Sequence, residues 1–342
     1  MPAADHFPPA DSDPRPDEAA HPLAMVVCSA CGLAQLAHDD TVTAEPRGVE
    51  PRALREQAAD AVRRVSDAGL LRGRTVREFA SPHGGSWLEL LAGRGFAVTE
   101  RPADLVLDSF GLMHERDQAA AVAGRVAATA PGGVLLLQYH PLHTIVTQGQ
   151  WNALRHGHFA YYSLRVLRDM LATAGMSVLT VWDFELYGGT VLLAAVHGDA
   201  ASDDAVRRVL DREDGADALD GLQRAADRHT ASLRATLESA AARGERVYAY
   251  GAASRAVALF CRAGIRRELL AGVADAAPAK QGRRMPGTDV PIISPAQLLA
   301  ARPDRVLLTV PDLLAEVSER FPELAGRWFV DESDQTRGRP IR

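Results

Sequence analysis

The chain has 342 residues, 47% of them hydrophobic and 24% charged, with a net charge of −6 and a pI near 6.0. These are globular values with room for two cores, and the acidic balance excludes the basic surface that a nucleic-acid partner demands. No apolar run reaches bilayer length.

The Pro- and Asp-rich start, MPAADHFPPADSDPRPDE, has neither the basic opening nor the apolar stretch of a secretion signal. Residues 1–22 are expected to be a disordered tail. Three cysteines (Cys28, Cys31 and Cys261) are too few for a disulfide framework, which favours a reducing, cytoplasmic setting. Leu54, Ala58, Ala61 and Val65 recur at helical spacing over 53–68 and stop at Gly69. Strands are then expected at 75–79, 96–99 and 105–108, with a helix at 87–92. An Ala/Val helix over 118–130 ends at Pro131-Gly132-Gly133, and the apolar strand 134–137 suits a parallel sheet. Ser163 reads as the N-cap of a helix carrying Leu164, Leu167 and Leu171 on one face. Segments 177–182 and 190–196 flank Tyr187-Gly188-Gly189 as an antiparallel hairpin.

A helical connector, 201–245, carries Leu222, Ala226, His229, Leu233 and Leu237 on one stripe, and His229 reads as a packed helix residue. From residue 246, a strand at 247–250 runs into Gly251-Ala252-Ala253-Ser254 and a helix at 255–263. Strands at 272–274, 306–310 and 328–330 alternate with helices near 295–301 and 312–320, a small doubly wound domain over 246–342. The fold class is α/β: a truncated class I methyltransferase-like, Rossmann-like domain over 51–200, plus that second domain.

Asp275-Ala-Ala-Pro278-Ala-Lys280-Gln281-Gly282, followed by Pro286-Gly287-Thr288 and Pro291-Ile292, carries a family resemblance. This string resembles the C-terminal domain of the sugar C-methyltransferases of deoxysugar biosynthesis. The similarity runs continuously over about 103–335. Ala103–His114 resembles the family strand that ends in a retained histidine, and Gln138-Tyr139-His140-Pro141 falls where the family carries an acid and a short turn. Asn152–Ser163 falls on the family's D-x-x-Y-x-E-H-x-x-Y-x-S site, with Arg155 in place of Tyr and Gly157 in place of Glu. By resemblance, His158 is the base, with His114 as a second catalytic histidine. Arg155 brings a forked, permanently charged donor suited to sulfate, phosphate or carboxylate. Substrate contacts are expected from Arg155, Gln138, Tyr139, Tyr161, Tyr162, Lys280, and Ser254 and Arg255 at a helix start.

The same resemblance implies S-adenosylmethionine (SAM), held by a glycine-rich turn and a ribose-binding acid. Here the turn reads Glu78-Phe-Ala80-Ser81-Pro82-His83-Gly84-Gly85, with Ala for the first Gly and a Pro inside. Gly84 and Glu100 are the residues left to hold SAM. Only Arg101 and Pro102 separate Glu100 from the next strand, too few for a parallel crossover, so the adenine wall is expected to be missing and no cofactor is expected. Cys28 and Cys31, within 23–50, resemble half of the family's zinc domain, and a structural zinc needs four ligands.

Three functions follow. The first is a SAM-independent cyclase or lyase of antibiotic biosynthesis that closes an aziridine-type ring with loss of sulfate or phosphate, similar in its trimming to the methyltransferase-like aziridine-forming subunits of azinomycin-type pathways. The second is a SAM-dependent C-methyltransferase acting on an NDP-deoxysugar. The third is a non-catalytic subunit of a biosynthetic complex. The expected ligand is a small biosynthetic intermediate, with a small partner subunit completing the N-terminal region and no membrane partner.

Overall fold

The computed structural model describes residues 1–4, 6–41, 49–81, 85–213 and 219–331. Strands β1 (Met25–Val27) and β2 (Ala34–Leu36) form a hairpin. Helix α1 (Arg52–Asp67) buries Leu54, Ala58, Ala61 and Val65, the stripe its spacing predicts. Then come β3 (Thr75–Phe79), α2 (Leu88–Ala92), β4 (Ala97–Val98), β5 (Ala103–Ser109), α3 (Gln118–Ala128) and β6 (Thr129–Tyr139). Helix α4 (Leu142–Thr147), β7 (Ala160–Tyr161), α5 (Leu164–Thr173), β8 (Met176–Phe184) and β9 (Thr190–His197) complete the first lobe. Its six-stranded sheet runs β4-β3-β5-β6-β9-β8, with β9 alone antiparallel to both of its neighbours. This is the expected methyltransferase-like sheet without its outermost strand.

The short bridge after β4 makes the parallel crossover that its length was expected to forbid. β4 and β5 flank β3 on opposite sides, both parallel to it, and β4 pairs only with Thr75 and Val76. The chain therefore turns back after two strand residues and passes under the start of β3 through 99–102. Asp104 pins that end, its Oδ2 accepting from the Arg74 and Thr75 amides at 2.8 and 3.0 Å.

Helices α6 (Asp204–Glu213) and α7 (Asp220–Ala242) lead to the second lobe. This comprises β10 (Val247–Tyr250), α8 (Ser254–Arg262), β11 (Val273–Ala274), β12 (Ile292–Ile293), α9 (Pro295–Ala301), β13 (Arg305–Leu308), α10 (Leu314–Arg320) and β14 (Trp328–Phe329). Its sheet, β12-β11-β10-β13-β14, is parallel throughout. One expected boundary shifts: Pro131–Gly133 bulges the start of β6 instead of forming a loop before it.

The β1–β2 hairpin joins the first lobe, because β2 pairs with β7. One domain expectation is corrected. The tail is not disordered: apart from Asp5, residues 1–22 are described and wrap the second lobe. Phe7 is buried in that lobe's core under the Lys280 ammonium, 5.2 Å from its ring centroid. Glu18 takes both Nη groups of the buried Arg284, one at 2.7 Å, and Arg284 also donates to the Ser12 and Asp13 carbonyls. Composition missed this because one aromatic and one bidentate ion pair anchor an otherwise polar segment.

The Arg284 pairing holds the Glu18 carboxyl down at about 2. That stabilisation is present above the unfolded value of about 4.5 and is lost as pH falls through 2. Glu18→Ala is expected to lower unfolding free energy by about 2–3 kcal/mol, less than a fully trapped charge because the freed tail lets water reach Arg284. Urea midpoints and protease cleavage within the first twenty or so residues check it; an unchanged midpoint contradicts it.

Candidate functional site

A cavity of about 720 Å³ lies between the lobes, lined by the ends of β5 and β6, the 145–155 segment, the Leu186–Gly188 turn, the start of α8 and residues 309–313. The C-terminal ends of parallel strands are where such folds bind ligands.

The second-lobe string resembling the C-methyltransferases builds one wall from behind. Asp275 Oδ2 accepts from the Ala252 amide at 2.8 Å, and Lys280 Nζ donates to the Ala252 carbonyl at 2.9 Å. Gln281 Nε2 donates to the Asp275 carbonyl at 3.0 Å. Both polar groups of Ala252 are thus clamped, and the chain is delivered into α8 with Ser254 and Arg255 on the cavity. Lys280 borders the cavity, and its buried ammonium also holds this loop.

Arg155 and His158 line the opposite side. Arg155 Nε donates to His158 Nε2 at 2.7 Å. A guanidinium cannot accept, so in this arrangement the proton of a neutral His158 ring resides on Nδ1. The nitrogen a base would use is engaged by Arg155. His114 does not line the cavity. It stands behind His158, ring centroids 4.7 Å apart and edge to face, and its Nδ1–H donates to the Gly157 carbonyl at 2.8 Å. His114 is therefore a support of the 155–158 loop rather than a first contact.

Burial, then the Arg155 charge, lower the His114 pKa from 6.5 to about 4, against the opposing Gly157 hydrogen bond. A depressed folded-state value makes its contribution complete above about pH 6.5 and lost as pH falls toward 4. Unfolding free energy is expected to drop by roughly 2–3 kcal/mol across that window, and His114→Asn to flatten part of the drop. Urea titrations at several pH values measure both; a parallel profile in the variant contradicts the assignment.

Of the four other first-lobe contacts expected, only Tyr161 lines the cavity. Its hydroxyl accepts from the Arg155 amide at 3.1 Å, fixing the loop, and burial raises its pKa. Gln138 is buried between Ser109 Oγ, which donates to its Oε1 at 2.8 Å, and Thr190. Tyr139 and Tyr162 pack edge to face in the core, where Tyr162 donates to Gln118 Oε1. These three are packing residues, since side chains alternate across a strand and β6 is covered on both faces. His229 is packed as expected, its Nδ1 accepting from Trp151 Nε1 at 3.1 Å.

The described residues fit a SAM nucleoside poorly. Glu78, which begins the family's glycine-rich turn, has its carboxylate taken by the Trp87 amide at 2.8 Å and by Ser86 Oγ. Glu100 is 90% exposed, 3.8 Å from Arg77, and does not line the cavity. With β4 reduced to two residues, no described strand stands beyond it to wall an adenine. Gly84 lies outside the described residues.

Zinc fits no better. The Cys31 and Ala30 amides face the Cys28 sulfur and hold its pKa below the ordinary thiol value, as in half of a thiolate knuckle. Among the described residues the one metal-like cluster is Asp39, Asp40 and His156, without either cysteine. Its groups are engaged in holding the site loop: Asp39 Oδ2 accepts from the Gly157 amide, and His156 Nε2–H donates to the Pro22 carbonyl, both at 2.8 Å.

Sequence reasoning gave no site role to the lining residues His140, His229 and Asp312. His140 follows the apolar run of β6 directly before Pro141, a strand-end position that could have flagged it. Asp312 carries no motif; burial raises its pKa, and it accepts from the Tyr187 amide at 2.9 Å.

Residues 185–330 match the model for the C-methyltransferase C-terminal domain. The chain is 26% identical over 382 aligned positions to the C-methyltransferase NovU of Streptomyces niveus, covering 94% of this chain and 88% of that protein. Among solved structures, magnesium protoporphyrin IX methyltransferase from Synechocystis PCC 6803 is 14% identical with a TM-score of 0.34, covering 43% of this chain and 85% of that one. A SAM-dependent methyltransferase from Thermotoga maritima is 15% identical with a TM-score of 0.32, covering 42% and 90%. Among the described residues no helix is long and apolar enough to cross a membrane. Residues 185–330 are thus similar to a C-methyltransferase C-terminal domain, and nearly the whole sequence is similar to a C-methyltransferase, in keeping with the methyltransferase-like sheet of the first lobe.

Proposed function

We propose that the chain acts without SAM, catalysing an intramolecular displacement on a small, anion-bearing biosynthetic intermediate held between the lobes. The observation that carries this reading is the two-residue β4, which leaves Glu100 outside the cavity and exposed. A cavity that presents Arg155 and Arg255 suits a substrate whose leaving group is sulfate or phosphate.

In this reaction a substrate amine attacks a neighbouring carbon. The C–N bond forms as the C–O bond to the ester breaks, and the anion leaves with the electron pair. Holding both ends in line supplies several kcal/mol of the acceleration. An anion drawing the Arg155 fork toward itself uncovers His158 Nε2, which then accepts the amine proton. Arg155 thus couples leaving-group binding to base release. The product is a strained ring of the aziridine type.

A second reading is SAM-dependent C-methylation of an NDP-deoxysugar, favoured by the similarity to NovU and by the matched C-terminal domain. In either case a small partner subunit beside the shortened β4 edge or the Cys28–Cys31 hairpin would complete the enzyme. Sulfated and phosphorylated amino-alcohol substrates, incubated with and without SAM, separate the readings. Release of inorganic anion without SAM supports the first. Release or methyl incorporation that requires SAM rejects it. Purification alone and with the products of adjacent genes tests the partner; full activity of the lone chain removes it.

A further inference from the structure

His140 faces the same cavity and has no part in the chemistry above. It follows β6 at the strand's C-terminal end and is 8% exposed. Its Nδ1 lies 3.3 Å from Arg255 Nη2. Because a guanidinium only donates, Nδ1 keeps its lone pair, and in the neutral ring the proton sits on Nε2. Burial, then the Arg255 charge, push its pKa well below the ordinary histidine value, so the ring is neutral.

That leaves a donor with nothing to meet. Nε2 is buried and has no hydrogen-bond partner among the described residues. An unmet buried donor costs about 1–3 kcal/mol, and such groups are uncommon outside functional sites. His140 borders the cavity, so an occupant there can bring the acceptor. The surroundings favour negative charge: Arg255 stands against the ring, and α8, nine residues long, begins at Ser254 on the same wall. The Asp312 carboxylate also borders the cavity, with its Oδ2 turned to the Tyr187 amide.

We propose that His140 Nε2–H, beside Arg255 at the start of α8, binds an anionic oxygen of the substrate's tetrahedral sulfate or phosphate group. Arg255 contributes charge and is also the positioning residue that fixes the tautomer. The clamp of Asp275 and Lys280 on Ala252 holds Arg255 in reach. The ring is a neutral electrophile and takes up no proton, the role a low-pKa imidazole plays best. This deepens the function proposed above and rests on it for the nature of the anion.

The test uses the full chain labelled with 15N-histidine, with inorganic sulfate and inorganic phosphate as separate probes. The His140 ring, assigned by loss of its signals in His140→Gln, is expected to carry its proton on Nε2 and to stay neutral at the pH where an ordinary histidine takes up its proton. Sulfate or phosphate is expected to shift the Nε2 resonance, and the stronger shift names the preferred group. His140→Leu should weaken anion binding about tenfold or more, as loss of a hydrogen bond to a charged group does. His140→Gln, which keeps an N–H near that position, should stay within about threefold. A proton on Nδ1, a charged ring at pH 7, or equal anion affinity in wild type and His140→Leu overturns the proposal. The spectra need no turnover, so failure of the displacement reaction itself is seen separately, in the anion-release assay.

Discussion

Asp108→Ala is expected to lower unfolding free energy by about 3–5 kcal/mol, the largest stability effect in the first lobe. Asp108 is fully buried near the end of β5, and its Oδ2 accepts from Arg125 Nε at 2.8 Å. Oδ1 accepts from the Gly111 and Leu112 amides at 2.6 and 3.1 Å. Removing the carboxylate leaves Arg125, whose side chain is 5% exposed, with the half-exposed Glu115 as its one charged partner among the described residues. Two buried amides lose their acceptor as well.

The same turn serves the cavity. Phe110 adopts a left-handed φ of 62° to reach the lining, a conformation that costs about 1–3 kcal/mol outside glycine. At Gly111 a Cβ would sit 2.9 Å from Asp108 Oδ1 and 3.2 Å from the Ala80 carbonyl, so no side chain fits. The Asp108→Leu, Arg125→Met pair is expected to recover part of the loss, since it removes both charges together. Urea denaturation of the two variants measures this. A loss below about 1 kcal/mol for Asp108→Ala would show that the pair contributes little.

Arg155→Ala is expected to lower kcat for anion release about 10²–10³-fold, the effect of deleting a donor aimed at developing charge. Arg155→Lys should recover only part, because an ammonium keeps the charge without the planar fork. If Arg155 also gates His158, the alanine variant exposes His158 Nε2, and the pH dependence of the residual rate then reports that imidazole directly. Unchanged kcat with a raised KM would instead mean that Arg155 only binds the substrate.

Much of the architecture was legible in the residues because it depends on local rules. The α1 stripe, the Ser163 cap, whose Oγ accepts from the Val166 amide, and the β8–β9 hairpin all follow from spacing and capping chemistry. The bridge after β4 was misjudged: read as too short for a parallel crossover, residues 99–102 make one across the start of β3, because β4 is only two residues long. The site was only half legible. Arg155, His158, Tyr161, Ser254 and Arg255 meet at the cavity, although they come from segments about a hundred residues apart. Gln138, Tyr139 and Tyr162 were misread as contacts because a strand's sequence does not tell which face meets the cavity once both faces are covered. His114 was misplaced by one layer, and His140 was given no site role because its setting depends on Arg255 across the lobe boundary. The tail's order depends on Glu18 finding Arg284, 266 positions away, a pairing that no local pattern encodes.

The claim that nucleoside binding has been lost is tested most directly by calorimetric titration of the purified chain with S-adenosylmethionine and S-adenosylhomocysteine. The geometry of β4 and Glu100 predicts no saturable heat at ligand concentrations up to about 1 mM, where even a contact of roughly −4 kcal/mol would register. Micromolar binding that disappears in Glu100→Gln would contradict it and restore methyl transfer as the reaction.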